Sequence, residues 1–142
     1  MIELGDIRAA VQSAVQASSS FSTATVIVDD GYMRDEIAAA DRSGVVVLIG
    51  VFDSVTPAAQ GAGAMSATAD FIVTMIVNPD VQQTDAIDVD ILLHDLVAAI
   101  IDIEPGDDND RFTVGQISNN TAESGGPLTY QVPVSKRALI ER

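Results

Sequence analysis

Between Val45 and Phe52 the chain reads Val-Val-Val-Leu-Ile-Gly-Val-Phe, five branched aliphatic side chains in a row before a single glycine. A half-solvated strand alternates, and an amphipathic helix repeats every three to four residues; this run does neither. It fits a central strand that is buried on both faces, or covered by helices on one side and a partner on the other. With that strand placed, the remaining segments must supply its sheet neighbours and a covering layer.

Several segments qualify as neighbours. Ala24 to Val28 is rich in Thr, Val and Ile and is closed by Asp29-Asp30-Gly31. From Ala69 to Asn78, Phe71, Val73, Met75 and Val77 alternate with Ile72, Thr74 and Ile76, and Pro79 stops the ladder. Phe112 to Ile117 reads as another strand, followed by a wide polar turn from Ser118 to Pro127. Leu128, Tyr130, Val132 and Val134 then alternate with Thr129, Gln131, Pro133 and Ser135. Pro133 lacks an amide hydrogen, which points to an edge position, and the last two strands are expected to pair as a hairpin.

The covering layer comes from two helical patterns. Ile7, Val11 and Val15, with Ala10 and Ala14, form one stripe that Asp6 is placed to cap and that ends at Ser18-Ser19-Ser20. A longer helix is expected from Thr84 or Asp85 to Ile101, with Val89, Leu92, Leu93, Leu96, Ala99 and Ile100 inward and Asp88, Asp95 and Asp102 mostly opposite. Tyr32 to Arg42 reads either as a short helix or as a loop with a helical turn. The expected class is α+β: a mainly antiparallel sheet of four to five strands, flanked by two or three helices, with a C-terminal β-hairpin. At 142 residues this makes a single domain. Asp53 to Thr68, with Pro57, Gly61, Gly63 and five alanines, is expected to be a mobile Ala/Gly-rich connection, or else a hairpin extension that orders against a partner.

Charge narrows the function. Twenty-one acidic residues face seven basic ones, a formal net charge of -14. Binding to duplex DNA draws on basic side chains that release counterions. Arg8, Arg34, Arg42, Arg111, Lys136, Arg137 and Arg142 are scattered and make no such patch. The same field repels anionic lipid, and no apolar run is long enough to span a bilayer. The N-terminus has no signal-peptide pattern. Cysteine is absent, which removes disulfides and thiol chemistry.

No chemical motif stands out. His94, the one histidine, precedes Asp95, and neighbours on a helix point in different directions, so the pair makes no relay by spacing alone. Asp107, Asp108 and Asp110 offer oxygen ligands without the calcium-loop arrangement, and a solvated turn is the simpler reading. Asp29, Asp30, Asp35 and Glu36 show no spacing that defines a carboxylate pair across a cleft. Gly61-Ala-Gly63 lacks the Lys-Ser/Thr of a phosphate loop. The expectation is a protein that is not an enzyme, with no cofactor and no bound metal.

The element order resembles the tail-terminator and tail-completion proteins of long-tailed bacteriophages. The likeness is carried by Val45-Val-Val-Leu-Ile-Gly50, by Phe71-Ile-Val-Thr-Met-Ile-Val77 before Asn78-Pro79, by Ile91-Leu-Leu-His-Asp-Leu-Val97 and by Leu128-Thr-Tyr-Gln-Val132. The resemblance implies a subunit of a homo-oligomer, commonly a hexameric ring, that caps the tail tube, stops its polymerisation and offers the surface joined to the head. Implied partners are the tail-tube protein and a head-tail connector protein; DNA passes through without specific binding, and no membrane is involved. The implied location is the virion tail, with assembly in the host cytoplasm. By position, candidate assembly contacts are Asp53, Ser54, Val55, Gln60, Met65 and Ser66 in the connection, and Asn119, Asn120, Tyr130 and Gln131 in the terminal hairpin. A head-tail connector or baseplate component is the alternative, and a small ligand-binding domain or enzyme stands behind it.

Overall fold

The computed structural model describes residues 2–30, 44–61, 64–78, 89–104, 110–121 and 128–141. Along the chain these form α1 (Ile7–Ala17), β1 (Thr25–Val28), β2 (Val45–Gly61), β3 (Ala64–Val77), α2 (Val89–Ile101), β4 (Thr113–Val114), β5 (Ser118–Asn119) and β6 (Leu128–Glu141). Short 3-10 turns at Leu4–Asp6 and Ser19–Phe21 flank α1. One sheet collects every strand in the order β1-β2-β3-β6-β4, with β5 also on β6. β1 runs parallel to β2, and all other pairings are antiparallel. The class is α+β as expected, and the two-residue strands β4 and β5 bring the sheet to six.

Both described helices cover one face. Ile7, Val11 and Val15 are fully buried, so the four-residue stripe read from the sequence is the packed face of α1. On α2 Leu92, Leu96 and Ile100 are buried, and Val89 and Leu93 of the expected inward face pack against the core half-buried, as does Val97; Ala99 is half-buried. These side chains join Val47, Ile49, Val73, Met75 and Val132 in a single core. The residues between them in sequence, Leu48, Ile72, Thr74 and Ile76, turn to the opposite face and are half-buried. The start expected for α2 at Thr84 or Asp85 lies outside the described residues.

Asp6 does not cap α1 with its side chain. It ends the 3-10 turn before the helix, and its backbone N–H donates to Glu3 O at 3.0 Å. That bond satisfies one free donor of the helix entry by backbone rather than carboxylate.

The stretch from Asp53 to Thr68 is not a strand-free connection. β2 and β3 continue their pairing through Thr56↔Thr68 and Pro57↔Ala67 to Gly61↔Ala64, and β6 follows β3 to Ala64↔Glu141. The result is a three-stranded arm extending past β1, which reaches only Ile49 on β2. Alanine and proline are poor strand formers alone, but each backbone group that finds a partner in the ladder outweighs a weak local preference. Three register shifts interrupt β2, after Ile49, Phe52 and Pro57, whereas β3 and β6 run without one. Accordingly β2 spans 17 residues against 14 in β3. Gly50 marks the first shift: a Cβ there would lie 2.8 Å from Ile72 O. Gly44 opens β2 with φ 83°, and Gly44 O accepts the Asn78 N–H at 2.7 Å, closing the other end of the pair.

Pro133 is not on an edge strand. β6 lies between β3 and the short strands, and Pro133 is level with Ile72. The Gly115 N–H donates to Pro133 O at 2.9 Å, so the polar side of Pro133 faces β4 and β5, away from β3. There its missing N–H falls where β4 has ended and β5 has not begun. The strand expected over Phe112 to Ile117 is accordingly broken, and Ser118–Asn119, expected in the turn, resume the pairing opposite Gln131 and Tyr130.

Candidate functional site

The ten candidate contact residues fall at two places. Asp53, Ser54 and Val55 on β2, with Met65 and Ser66 on β3 and the Gln60↔Met65 pair, belong to the arm. Asn119, Asn120, Tyr130 and Gln131 gather where β5 meets β6, beside Met75 of β3. Ser54 is level with Asp70 and Gln131 with Thr74, so the near members of the two groups lie roughly 13 Å apart along β3, and Met65 lies roughly 33 Å from Met75.

In the arm, β2 is the exposed member. Asp53, Ser54, Thr56, Pro57 and Ala58 are exposed, Val51 is 48% exposed, and Val55 is half-buried. Next to it Ala67 and Ala69 on β3 and Ala138 on β6 are fully buried. The N-terminal segment runs beside β6 there: the Leu139 N–H donates to Ile2 O at 2.8 Å, and Glu3 bridges to Leu139. Ser54 Oγ donates to Asp70 Oδ2 at 3.0 Å, joining the two strands across their surface. The arm's root is fixed by Phe52 and Phe71, edge to face at 5.8 Å, with the Arg8 guanidinium 5.6 Å from the Phe52 ring.

The second group is partly consumed by its own turn. Asn119 Oδ1 accepts the Thr121 N–H at 2.9 Å, and the Asn120 N–H donates to Thr129 O at 2.8 Å. Tyr130 packs against the core, whereas Asn119 is exposed and Gln131 is half-buried on the other face.

The sequence reading passed over Lys136, which is 3% exposed on the core side of β6. Its ammonium donates to Asp110 O at 2.6 Å and stands 5.8 Å from the Phe112 ring. The neighbouring Arg137 pairs with Asp110 Oδ2 at 3.6 Å. Together they tie the entry to β4 onto β6. The available signal was phase: the alternation of Val132 and Val134, carried two residues further, puts a lysine on the buried face. Between β4 and the arm, a cleft of about 290 Å³ opens at the ladder break, lined by Asp53, Asp70, Thr113, Pro133 and Ser135 among others.

His94 and Asp95 do touch, Nδ1 to Oδ1 at 3.1 Å, although they are sequence neighbours. Ser20 Oγ donates to the other carboxylate oxygen of Asp95. These two hydrogen bonds, Ser20 first, hold the Asp95 carboxyl below its usual pKa. The order is serine, carboxylate, imidazole: the hydroxyl donates to the carboxylate and the imidazole meets the carboxylate's other oxygen, so the three do not have the serine–imidazole–carboxylate order of a nucleophile triad. What the arrangement does is pin the turn after α1 to α2.

Among the described residues no three His, Cys, Asp or Glu side chains come together as a metal-ligand group, and no helix is long and apolar enough to cross a membrane. Asp107, Asp108, Asp35 and Glu36 lie outside the described residues.

No family model and no curated protein sequence matches the chain. In fold it is similar to a chain from a solved structure titled "Virion of native gene transfer agent (GTA) particle", with a TM-score of 0.51 over 95% of this chain and 94% of that one. The two sequences are 20% identical, so the likeness is one of fold.

Proposed function

We propose that the protein is a structural component of a phage-type virion. In this reading, copies of the chain close into a hexameric ring that caps a tail tube, ends its growth and presents the surface that meets the head connector. The work is assembly, without turnover. The observation that carries the reading is a fold likeness to a virion component that takes in nearly the whole of both chains. The element order read from the sequence supports it independently.

The two separated contact groups suit such an object. A closed ring uses head-to-tail contacts, in which one patch of each subunit meets a different patch of the next. The arm and the β5–β6 corner are two such patches, the first reaching from the middle of β3 to its start and the second beside its end. Continuing the sheet from one copy to the next along β2 is disfavoured, because that margin carries three register shifts and Pro57. Pro57 is level with Ala67, whose polar groups face β6, so the imino side of the proline looks outward. Ring contacts of the arm then run through side chains such as Asp53, Ser54 and Thr56 rather than through a continued ladder. The net charge of -14 would ease passage of DNA through a lumen lined with acids.

Light scattering coupled to size-exclusion chromatography, followed by electron microscopy of the purified full chain alone and with tube subunits, tests this. The expected result is a closed ring of uniform size, lost or reduced when Ser54→Arg and Ser66→Arg are combined in the arm. A chain that stays monomeric at high concentration, with and without tube subunits, sinks the proposal.

A further inference from the structure

The three-stranded arm has two margins, β2 on one side and β6 on the other. The chain from Ile2 to Arg8 meets both. At the β6 margin the Leu139 N–H donates to Ile2 O at 2.8 Å, and Glu3 bridges to Leu139 in parallel. Leu139 is level with Ser66 of β3, so this anchor lies well inside the arm. At the β2 margin the Arg8 guanidinium lies 5.6 Å from the Phe52 ring and also donates to Asp29 O, just past the end of β1. Between the anchors, Ile7 is fully buried and Leu4 packs against the core that holds Ala69, Phe71 and Ala138. One short run of chain thus crosses the arm's root from margin to margin.

The run is stiff. Leu4–Asp6 is a 3-10 turn closed by the Asp6 N–H on Glu3 O at 3.0 Å, and it leads straight into α1. The two anchors therefore sit on one body. The entropy of ordering that body is spent once for both, so releasing either anchor loosens the other.

We propose that Ile2 to Arg8 form a strap that holds β2, β3 and β6 of the arm together, and that the arm opens as a unit when the strap lifts. The inference concerns how the arm is held and stands whether or not copies form a ring.

Amide hydrogen exchange on the purified full chain tests this. Arg8→Ala, made at the β2 margin, should speed exchange about tenfold at β6 residues 137–140 as well as at 52–56, while residues 73–77 of β3, beyond the arm, keep their protection. Arg8→Lys, which still has a donor for Asp29 O, should lie closer to wild type. The chain has no cysteine, so Glu3→Cys with Leu139→Cys leaves a single possible disulfide. Oxidising it locks the β6 anchor and should slow exchange at 52–56, on the far margin, relative to the reduced protein. An effect confined to the margin that was altered would mean two local contacts and overturn the proposal. So would exchange at 73–77 that rises in step with the arm, or oxidation that leaves 52–56 unchanged.

Discussion

The lower half of the sheet and the arm are built from the same three long strands, yet they are stabilised differently. In the lower half, two helices bury Ile7, Val11, Val15, Leu92, Leu96 and Ile100 against Val47, Ile49, Val73 and Met75. The outer margin there is also guarded: Gln12 Nε2 donates to Val26 O at 3.2 Å, and Arg8 holds Asp29 O. In the arm the buried side chains are small, Ala67, Ala69 and Ala138, and the last two belong to the same core as the helices. Buried alanines take the place of large aliphatics, and the outer margin of β2 carries a proline and three register shifts. The lower half therefore buries the larger aliphatic side chains, and β2 in the arm exposes more of its surface. Regions that serve association are commonly drawn from the less stable parts of a fold.

The sharpest way to break this contrast is to cut each half by a similar amount. Leu96→Ala, at a fully buried site, should cost about 2–5 kcal/mol in urea unfolding. Val55→Ala in the arm should cost about 1 kcal/mol or less. Equal losses would mean that the arm is part of the stabilising core. A smaller effect is expected where the halves join. Gly50→Ala pushes a methyl group toward Ile72 O and should cost roughly 1–3 kcal/mol, visible as a lower thermal midpoint. An unchanged midpoint would show that the first register shift relaxes without strain.

The smallest effect concerns the link between the two helices. Asp95 has a depressed pKa in the folded chain, so its contribution is present above the ordinary carboxylate value and is lost as pH falls through the folded value. Ser20→Ala removes the larger cause and should raise the Asp95 pKa toward normal, as read by NMR titration. The stability gap between wild type and variant should be present near neutral pH and narrow in acid. A gap of constant size at pH 7 and pH 3 would show that the link is not electrostatic.

Much of the lower half was legible in the sequence because local pattern and tertiary role agree there. The Ile7, Val11, Val15 stripe and the Phe71 to Val77 alternation each name their own buried face. The arm was legible as strand only in the second of two readings, the hairpin extension. Ala58, Pro57 and Gly61 argue locally against a strand, and what overrides them is register with β3, a long-range property. Ser135 to Glu141 shows the same effect, since Lys-Arg-Ala-Leu-Ile-Glu favours helix in isolation but is held extended beside β3. Pro133 misled in another way: its missing donor was read as an edge, whereas the fold places it at a break in the next strand.

The unequal lengths of β2 and β3 have a mechanical meaning. Three extra residues on one margin amount to roughly 10 Å of surplus contour. A ribbon longer along one border than the other cannot lie straight, and each shift bends the longer strand. The arm is thus a pre-bent beam whose arc is written into the chain by the count of residues between Ile49 and Gln60, and removing Ala58 would take out part of that arc without touching any buried side chain.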